Sequence, residues 1–185
     1  MKAHFLTKTP FPHQNKDLLA SMLRVDFAGE KGAVSLYEGQ ITGEKRDENK
    51  TTLEAMCDEE RGHETILENW ISKKHVRPSL PTKMWKELGY FFGYCASKMG
   101  PSYAMAQTEA IETVIAAHYK KQIQLLLEAF PQEEKLIACF QKLYADEIHH
   151  KEKGFSSRHK SLLIDLWRAL TSSGTCIAIA IAKRI

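Results

Sequence analysis

The chain is poor in several residue types, and each shortage narrows what the protein can be. Its 185 residues include ten glycines, six prolines and four cysteines. The cysteines stand far apart and form no Cys-x-x-Cys pair, which disfavours a zinc ribbon or a redox dithiol. Single, dispersed cysteines are typical of small buried side chains in a reducing compartment.

Long apolar runs and a strong net charge are missing as well. Residues 1–14 contain no apolar run of signal-peptide length. The most apolar stretch, Leu162–Ala182, is interrupted by Asp165 and Arg168, so we expect no membrane-spanning helix. A net charge of +3 is too small to indicate nucleic acid binding. The length predicts a single domain over residues 1–185.

No segment alternates in the manner of a strand, and helix-forming residues fill the stretches between the prolines. We therefore predict an all-α protein. The predicted helices cover about Asp17–Glu44, Asn49–His75, Thr82–Met99, Ser102–Phe130, Pro131–Lys153 and Arg158–Lys183. Asp17 and Ser102 are expected to cap the first and fourth helices, Pro131 to lie in the first turn of the fifth, and Gly154 to end it.

Two of the predicted helices carry the pattern Glu-x-x-His within a stripe of apolar residues. Glu60 and His63 occupy positions in the second helix at which a core normally has leucine, and Glu147 and His150 do so in the fifth. Residues three apart lie on one face of a helix, so both side chains of each pair can reach the same point.

The first and fourth helices each place a single glutamate on the apolar stripe, Glu30 and Glu112. Four inward-facing carboxylates would repel one another and would be costly to bury. Two divalent cations remove this conflict, with two neutral imidazoles completing the ligand set; oxygen and imidazole ligands suit iron or manganese. The alternative is a set of solvated or salt-bridged faces. The predicted metal ligands are Glu30, Glu60, His63, Glu112, Glu147 and His150.

The order of these residues indicates an internal duplication. One glutamate followed by Glu-x-x-His occurs twice, within about residues 17–75 and 102–154, so each helical hairpin would supply half of the site. This ligand set is the mark of ferritin-like di-iron carboxylate bundles. The predicted fold is therefore an all-α, ferritin-like four-helix bundle with a crossover helix and an additional C-terminal helix.

Two segments outside the hairpins are both basic and apolar. Residues 71–101 carry six basic residues and one acidic residue, and residues 158–185 carry five and one. Basic residues beside aromatics such as Trp85 and Trp167 suit a helix on an anionic membrane surface. A core-facing helix with a solvated basic rim explains the same composition, and both interpretations stay open at this point.

Other polar residues flank the stripes. Asp26 lies one turn before Glu30, and Asp146 one turn before His150, so each could accept the second N–H of a ligand histidine. Tyr119 lies on the stripe of the fourth helix, where it could approach a metal or simply pack in the core, whereas His118 lies off the stripe. Glu59, Glu109 and His149 could also surround the site or be exposed.

Several motifs around these residues resemble the demethoxyubiquinone hydroxylase family of ubiquinone biosynthesis. The matching segments are 23–33 (LRVDFAGEKGA), 36–40 (LYEGQ), 58–63 (DEERGH), 76–78 (VRP), 111–112 (IE), 117–119 (AHY) and 146–150 (DEIHH). The resemblance extends from about Leu18 to the C-terminus. The chain departs from the family pattern at Phe27, where a histidine is usual. The family usually has two adjacent glutamates around Glu112 and two adjacent histidines around His118, and here Thr113 and Ala117 replace one of each.

The resemblance implies a monooxygenase with two iron ions that uses O2 to hydroxylate the ring of a polyprenylated benzoquinol. It implies the same six ligands, with Glu60 and Glu147 bridging, and it puts His118 and Tyr119 near the substrate or on the path of electrons. An external reductant, NADH or a quinol, would supply those electrons. The third and C-terminal helices would contact the membrane, where the polyprenyl tail stays.

The resemblance also implies a location and partners. The protein would be peripheral on the cytoplasmic face of a bacterial inner membrane, or on the matrix face of the mitochondrial inner membrane. Other ubiquinone-biosynthesis proteins, including a lipid-binding accessory protein, would be its partners, and nucleic acid would not. Two rival functions are a ferroxidase or peroxide scavenger like bacterioferritin or rubrerythrin, and a non-catalytic quinone-binding scaffold.

Overall fold

A computed structural model describes residues 12–79 and 82–184 of the chain. Six α-helices and no strand occur in these residues, which confirms the all-α prediction. The helices are α1 (Pro12–Gly43), α2 (Asp47–Lys73), α3 (Thr82–Met99), α4 (Pro101–Ala129), α5 (Glu134–Ser157) and α6 (Leu162–Ala182).

Two predicted helix caps are wrong. Helix α1 already begins at Pro12, so Asp17 lies inside the helix and does not cap it. Gly100 precedes α4, and Pro101 takes the first helical position, where its missing N–H leaves no donor unsatisfied. Ser102 instead accepts a hydrogen bond from the backbone N–H of His159, which ties the start of α4 to the α5–α6 connection.

The predicted limits of the last two helices are also wrong. Residues 131–132 form a turn, so α5 begins at Glu134, and it continues past Gly154 to Ser157. A Cβ atom at Gly154 would lie 2.8 Å from the carbonyl oxygen of Met105, so this glycine serves helix packing and not termination. Helix α6 begins later than expected, after Ser161, whose hydroxyl caps it by accepting from the Ile164 N–H.

Helices α1, α2, α4 and α5 form a bundle with two apolar clusters in its core. The larger cluster includes Leu23, Leu67, Leu126 and Phe140, one from each helix. The smaller one is built from α1, α2 and α4, with Val34, Tyr37, Leu53, Met56, Cys57 and Met105. On both α1 and α2 the predicted ligands fall between these clusters, so apolar packing above and below fixes the height of the polar layer.

Helix α3 packs so closely against α1 that the two backbones are in contact. A Cβ atom at Gly93 would come 2.0 Å from the carbonyl oxygen of Leu36, and one at Gly39 would come 2.1 Å from that of Tyr90. Only glycine allows such an approach. Because Gly89 faces Gly32 and Gly93 faces Leu36, the two helices run parallel.

Helix α6 packs on α4 but is mostly exposed. Of its described residues only Ile164 and Ala182 are buried, and it is held by Glu109 of α4, which accepts hydrogen bonds from Arg158 and Arg168. Contrary to our expectation, α6 is long and apolar enough to cross a membrane by length and composition. Those two properties alone are weak evidence for a span.

We predict that Gly93→Ala weakens the fold. The added methyl group would overlap the Leu36 carbonyl oxygen and push α3 away from α1, at a cost of roughly 1–3 kcal/mol. Thermal unfolding measures this as a lower Tm. The control is Gly62→Ala on α2, where an added Cβ meets no atom within 4 Å, so its Tm should rise slightly. An unchanged Tm for Gly93→Ala would contradict the close packing of α3.

Candidate metal centre

The structure brings all six predicted ligands together in the centre of the bundle. Their exposed fractions lie between 0 and 4%. They form two overlapping groups, in each of which the potential ligand atoms lie within 4.8 Å of one another. The first group is Glu30, Glu60, His63 and Glu147, and the second is Glu60, Glu112, Glu147 and His150. Since Glu60 and Glu147 belong to both, they lie where a bridging ligand would lie.

Several of these buried atoms have no hydrogen-bond partner of suitable geometry among the described residues. They include both carboxylate oxygens of Glu60 and the Nδ1 atoms of both histidines. Yet Nδ1 of His150 lies 2.9 Å from Oε1 of Glu60, and Nδ1 of His63 lies 3.4 Å from Oε1 of Glu147. Buried acceptors that face one another without satisfied bonds are costly. Cations between them would satisfy these atoms, so the donor set fits a metal centre.

Each histidine is held from behind by a carboxylate of the other hairpin. Nε2 of His63 lies 3.1 Å from Asp146, and Nε2 of His150 lies 2.9 Å from Glu59. Such a contact orients the ring, so that Nδ1 faces the site, and it is the usual arrangement around a metal-bound histidine. Asp146 thus contacts the second ring nitrogen of a ligand histidine, as we expected, and the histidine is His63 of the facing hairpin.

Two buried tyrosines hold the single glutamates in a similar way. The hydroxyl of Tyr119 donates to Glu30 at 2.5 Å, and that of Tyr37 donates to Glu112 at 2.8 Å. Each tyrosine lies seven residues after the glutamate of its own helix and binds the glutamate of the other hairpin. Tyr119 was singled out from the sequence, whereas Tyr37 was taken only as a core residue. The repeated Glu-x6-Tyr spacing was the signal that could have identified it.

His118 lies apart from the six ligands, among other partners. Its Nε2 is 3.3 Å from Oδ1 of Asp26, and the same oxygen accepts a hydrogen bond from Gln122 at 2.9 Å. From the sequence we had considered a ligand histidine as the partner of Asp26. The structure instead places Asp26 beside His118. Burial raises the pKa of Asp26, although His118 and Gln122 oppose the rise.

The site favours bound protons when it holds no metal. Burial raises the pKa of Glu30 to about 8, and it also raises the pKa values of Glu112 and Glu147. Burial alone would lower the pKa of His150, but its close contact with the Glu60 carboxylate and the charge of Glu112 raise it to about 9. The close contacts with the imidazoles of His150 and His63 outweigh burial at Glu60 and lower its pKa. Metal ions would replace these protons.

A cavity of about 420 Å³ connects the ligands with the surface between α3 and α6. Its inner end is formed by carboxylates, among them Glu30 and Glu112, and both His118 and Tyr119 line it. The rest of the wall is mainly apolar. It includes Leu36, Trp85, Phe92, Ile111, Leu170 and Ala178. An apolar cavity with a few convergent polar groups is the usual form of a binding site for a small organic molecule.

The chain is similar to proteins of one enzyme family. The family model described as ubiquinone biosynthesis protein COQ7 matches residues 17–182. The NADPH-dependent 3-demethoxyubiquinone 3-hydroxylase of Dictyostelium discoideum is 32% identical over 173 residues, which cover 92% of this chain and 79% of that protein. The human protein of the same name is 32% identical over 168 residues, or 89% and 76% of the two chains. The 3-demethoxyubiquinol 3-hydroxylase of Rhodospirillum rubrum is 29% identical over 170 residues, or 91% and 79%.

We predict that the metal-free protein becomes less stable as the pH rises from about 6.5 to 9. His150 keeps its proton up to a pKa of about 9 in the fold, against 6.5 for an ordinary histidine. Glu30 keeps its proton up to about 8, against 4.5. The folded state therefore binds more protons than the unfolded state in this range, so the free energy of unfolding falls with pH. Urea unfolding in the presence of a chelator measures it.

The variant Glu30→Gln provides the control for this pH dependence. Glutamine does not titrate, so the fall in stability between pH 6.5 and 8 should be shallower than in the wild-type chain. A stability that is constant or that rises over the same range would contradict the protonation scheme.

We also predict that Tyr37→Phe weakens metal binding. The change removes the hydroxyl that orients Glu112 but keeps the ring in the core, and the loss of such an outer contact typically lowers metal affinity by about 10–100-fold. Titration with Co²⁺ or Fe²⁺ under anaerobic conditions measures the affinity. Tyr90→Phe, on the exposed face of α3, should leave it unchanged. Equal affinities for Tyr37→Phe and the wild-type chain would show that Tyr37 only fills space.

Proposed function

The chain belongs to the ubiquinone biosynthesis protein COQ7 family, a family of hydroxylase enzymes, and from this we propose its reaction. We propose that it hydroxylates the ring of a polyprenylated benzoquinol, demethoxyubiquinol, with O2 at a di-iron carboxylate centre, late in ubiquinone biosynthesis. The observation that carries this proposal is the apolar cavity that ends at the buried carboxylates.

The six buried residues would hold two iron ions. Glu30 and His63 would bind one ion, Glu112 and His150 the other, and Glu60 and Glu147 would bind both. Oxygen and imidazole ligands suit iron. Bound iron supplies the activation of O2, which the side chains of this chain cannot provide. The tyrosines, together with Asp146 and Glu59, would keep the ligands in place.

The cavity separates the two parts of the substrate. Its polar inner end would take the quinol ring, and its apolar walls would take the first part of the polyprenyl tail. His118 and Tyr119 would contact the ring from the side of α4, where His118 can accept or return a proton of a ring hydroxyl. Asp26 would fix the orientation of the His118 ring through Nε2.

Electrons would come from an external donor. Several relatives are named as NADPH-dependent, which supports a nicotinamide reductant, and a quinol is the alternative donor. The reductant would have to deliver electrons without letting bulk water into the apolar cavity.

The surface of α3 and α6 supports contact with a membrane. Helix α3 exposes Phe91 and Phe92 together with Lys83 and Lys86, and α6 exposes a row of large apolar side chains. This row is Leu162, Leu163, Leu166, Leu170 and Ile177. Because the cavity opens between these helices, a lipid-dissolved tail could enter directly. We propose a peripheral protein, on the cytoplasmic face of a bacterial inner membrane or the matrix face of the mitochondrial one.

Two further proposals follow from the same arrangement. A lipid-binding accessory protein and other ubiquinone-biosynthesis proteins would meet the chain at this membrane. The two hairpins, about residues 17–75 and 102–154, would derive from an internal duplication within one domain. The reciprocal contacts of the tyrosines and of the residues before Glu60 and Glu147 support this origin, because each hairpin repeats them at the same spacing.

The proposed reaction is tested with iron-loaded protein, NADH or NADPH, ¹⁸O2 and a short-tailed demethoxyubiquinone. We expect a product with one added ¹⁸O atom by mass spectrometry. Glu60→Ala should lose iron and at least about 100-fold in rate, because it removes a ligand of both ions. The control Glu68→Ala, an exposed acid on the same helix, should keep both.

Two results would contradict the proposal. Rapid oxidation of Fe²⁺ with an unchanged quinone would indicate a ferroxidase or peroxide scavenger. Quinone binding without any turnover, at an affinity that Glu60→Ala leaves unchanged, would indicate a scaffold.

A further inference from the structure

Helix α1 contains glycines of two kinds. Gly39 and Gly43 lie against the backbone of α3, where a Cβ atom would come closer than 3 Å to another atom. Close helix packing does not require a glycine at position 29 or 32, because a Cβ atom at either position would meet no atom within 4 Å. A glycine inside a helix makes the helix less stable than an alanine at the same position would. Helix packing therefore explains Gly39 and Gly43 but not Gly29 and Gly32.

The space next to Gly29 and Gly32 belongs to the cavity. Both residues line it, and they flank Glu30, whose carboxylate lies at its inner end. Gly29 is exposed although Ala28 and Glu30 on either side are buried, because the cavity opens onto its backbone. Gly174 of α6 lines the cavity as well, and a Cβ atom there would also meet nothing within 4 Å. Missing side chains on two helices thus widen the cavity.

We infer that Gly29 and Gly32 determine which ring substituents fit beside Glu30. This inference rests on the proposed function and adds to it the residues that select the ring. A flat ring has to lie against the α1 backbone to bring its edge to the carboxylates, and a methyl group on α1 would occupy the place of a ring substituent. A methoxy group extends further from the ring than hydrogen does, so it is the substituent that the glycines accommodate.

Substitution of these glycines should weaken ligand binding without lowering the stability of the fold. Gly29→Ala and Gly32→Ala add a methyl group in open space within a helix, so both variants should fold and should have a Tm about 2–4 °C higher than the wild-type chain. The control Gly62→Ala lies in open space on α2, away from the cavity, and should show the same rise. A loss of binding in the first two variants would then not come from misfolding.

The test compares two short-tailed benzoquinones that differ in one methoxy group. Their Kd values can be read from the quenching of tryptophan fluorescence, since Trp85 and Trp167 line the cavity. In Gly29→Ala and Gly32→Ala we expect the Kd of the methoxylated ring to rise by about tenfold or more, and that of the ring without methoxy to change by less than about twofold. Gly62→Ala should leave both Kd values unchanged.

The results distinguish this inference from the proposed function. Suppose that the wild-type chain hydroxylates the methoxylated ring and that both cavity variants keep the wild-type ratio of the two Kd values. Gly29 and Gly32 then do not select the ring substituent, but the proposed function stands. An equal loss for both rings would likewise overturn the selection. A wild-type chain that binds neither quinone would overturn the proposed function together with the inference.

Discussion

Four carboxylates and two imidazoles share the dry centre of one helix bundle, and the rest of the structure accommodates this arrangement. Apolar clusters lie on both sides of the polar layer, so the layer cannot shift along the helices. Each hairpin supplies partners for the other, with Tyr37 on Glu112, Tyr119 on Glu30, and Asp146 on His63. These contacts leave the atoms that face inward without partners of suitable geometry among the described residues, so cations are the natural complement of the site.

The two helices outside the bundle make the centre accessible to an organic molecule. Glycines hold α3 on α1 at backbone distance, and Glu109 holds α6 on α4 through Arg158 and Arg168. The cavity is the gap that remains between α3 and α6, and its floor is the ligand layer. The same two helices expose apolar side chains, so one arrangement would provide both the proposed substrate path and a surface suited to lipid.

The six potential ligands could be predicted from the sequence because a helix has a fixed period. An inward stripe that contains Glu60 and His63 places both in the core whatever the neighbouring helices are. The partners of these residues could not be predicted in this way, since they depend on which helices face each other. The sequence therefore left open which histidine Asp146 contacts. Tyr37 was missed, and Gly154 was interpreted as a helix end although it is a contact with α4.

The most direct test of a metal centre in this core is a crystal structure of the iron-loaded chain with anomalous data collected at the iron edge. We expect two peaks roughly 3.5–4 Å apart, as in other two-metal sites, with Glu60 and Glu147 bound to both. Glu30 and His63 should complete the coordination of one ion, and Glu112 and His150 that of the other. A core without anomalous peaks, or iron bound only at other residues, would contradict the account.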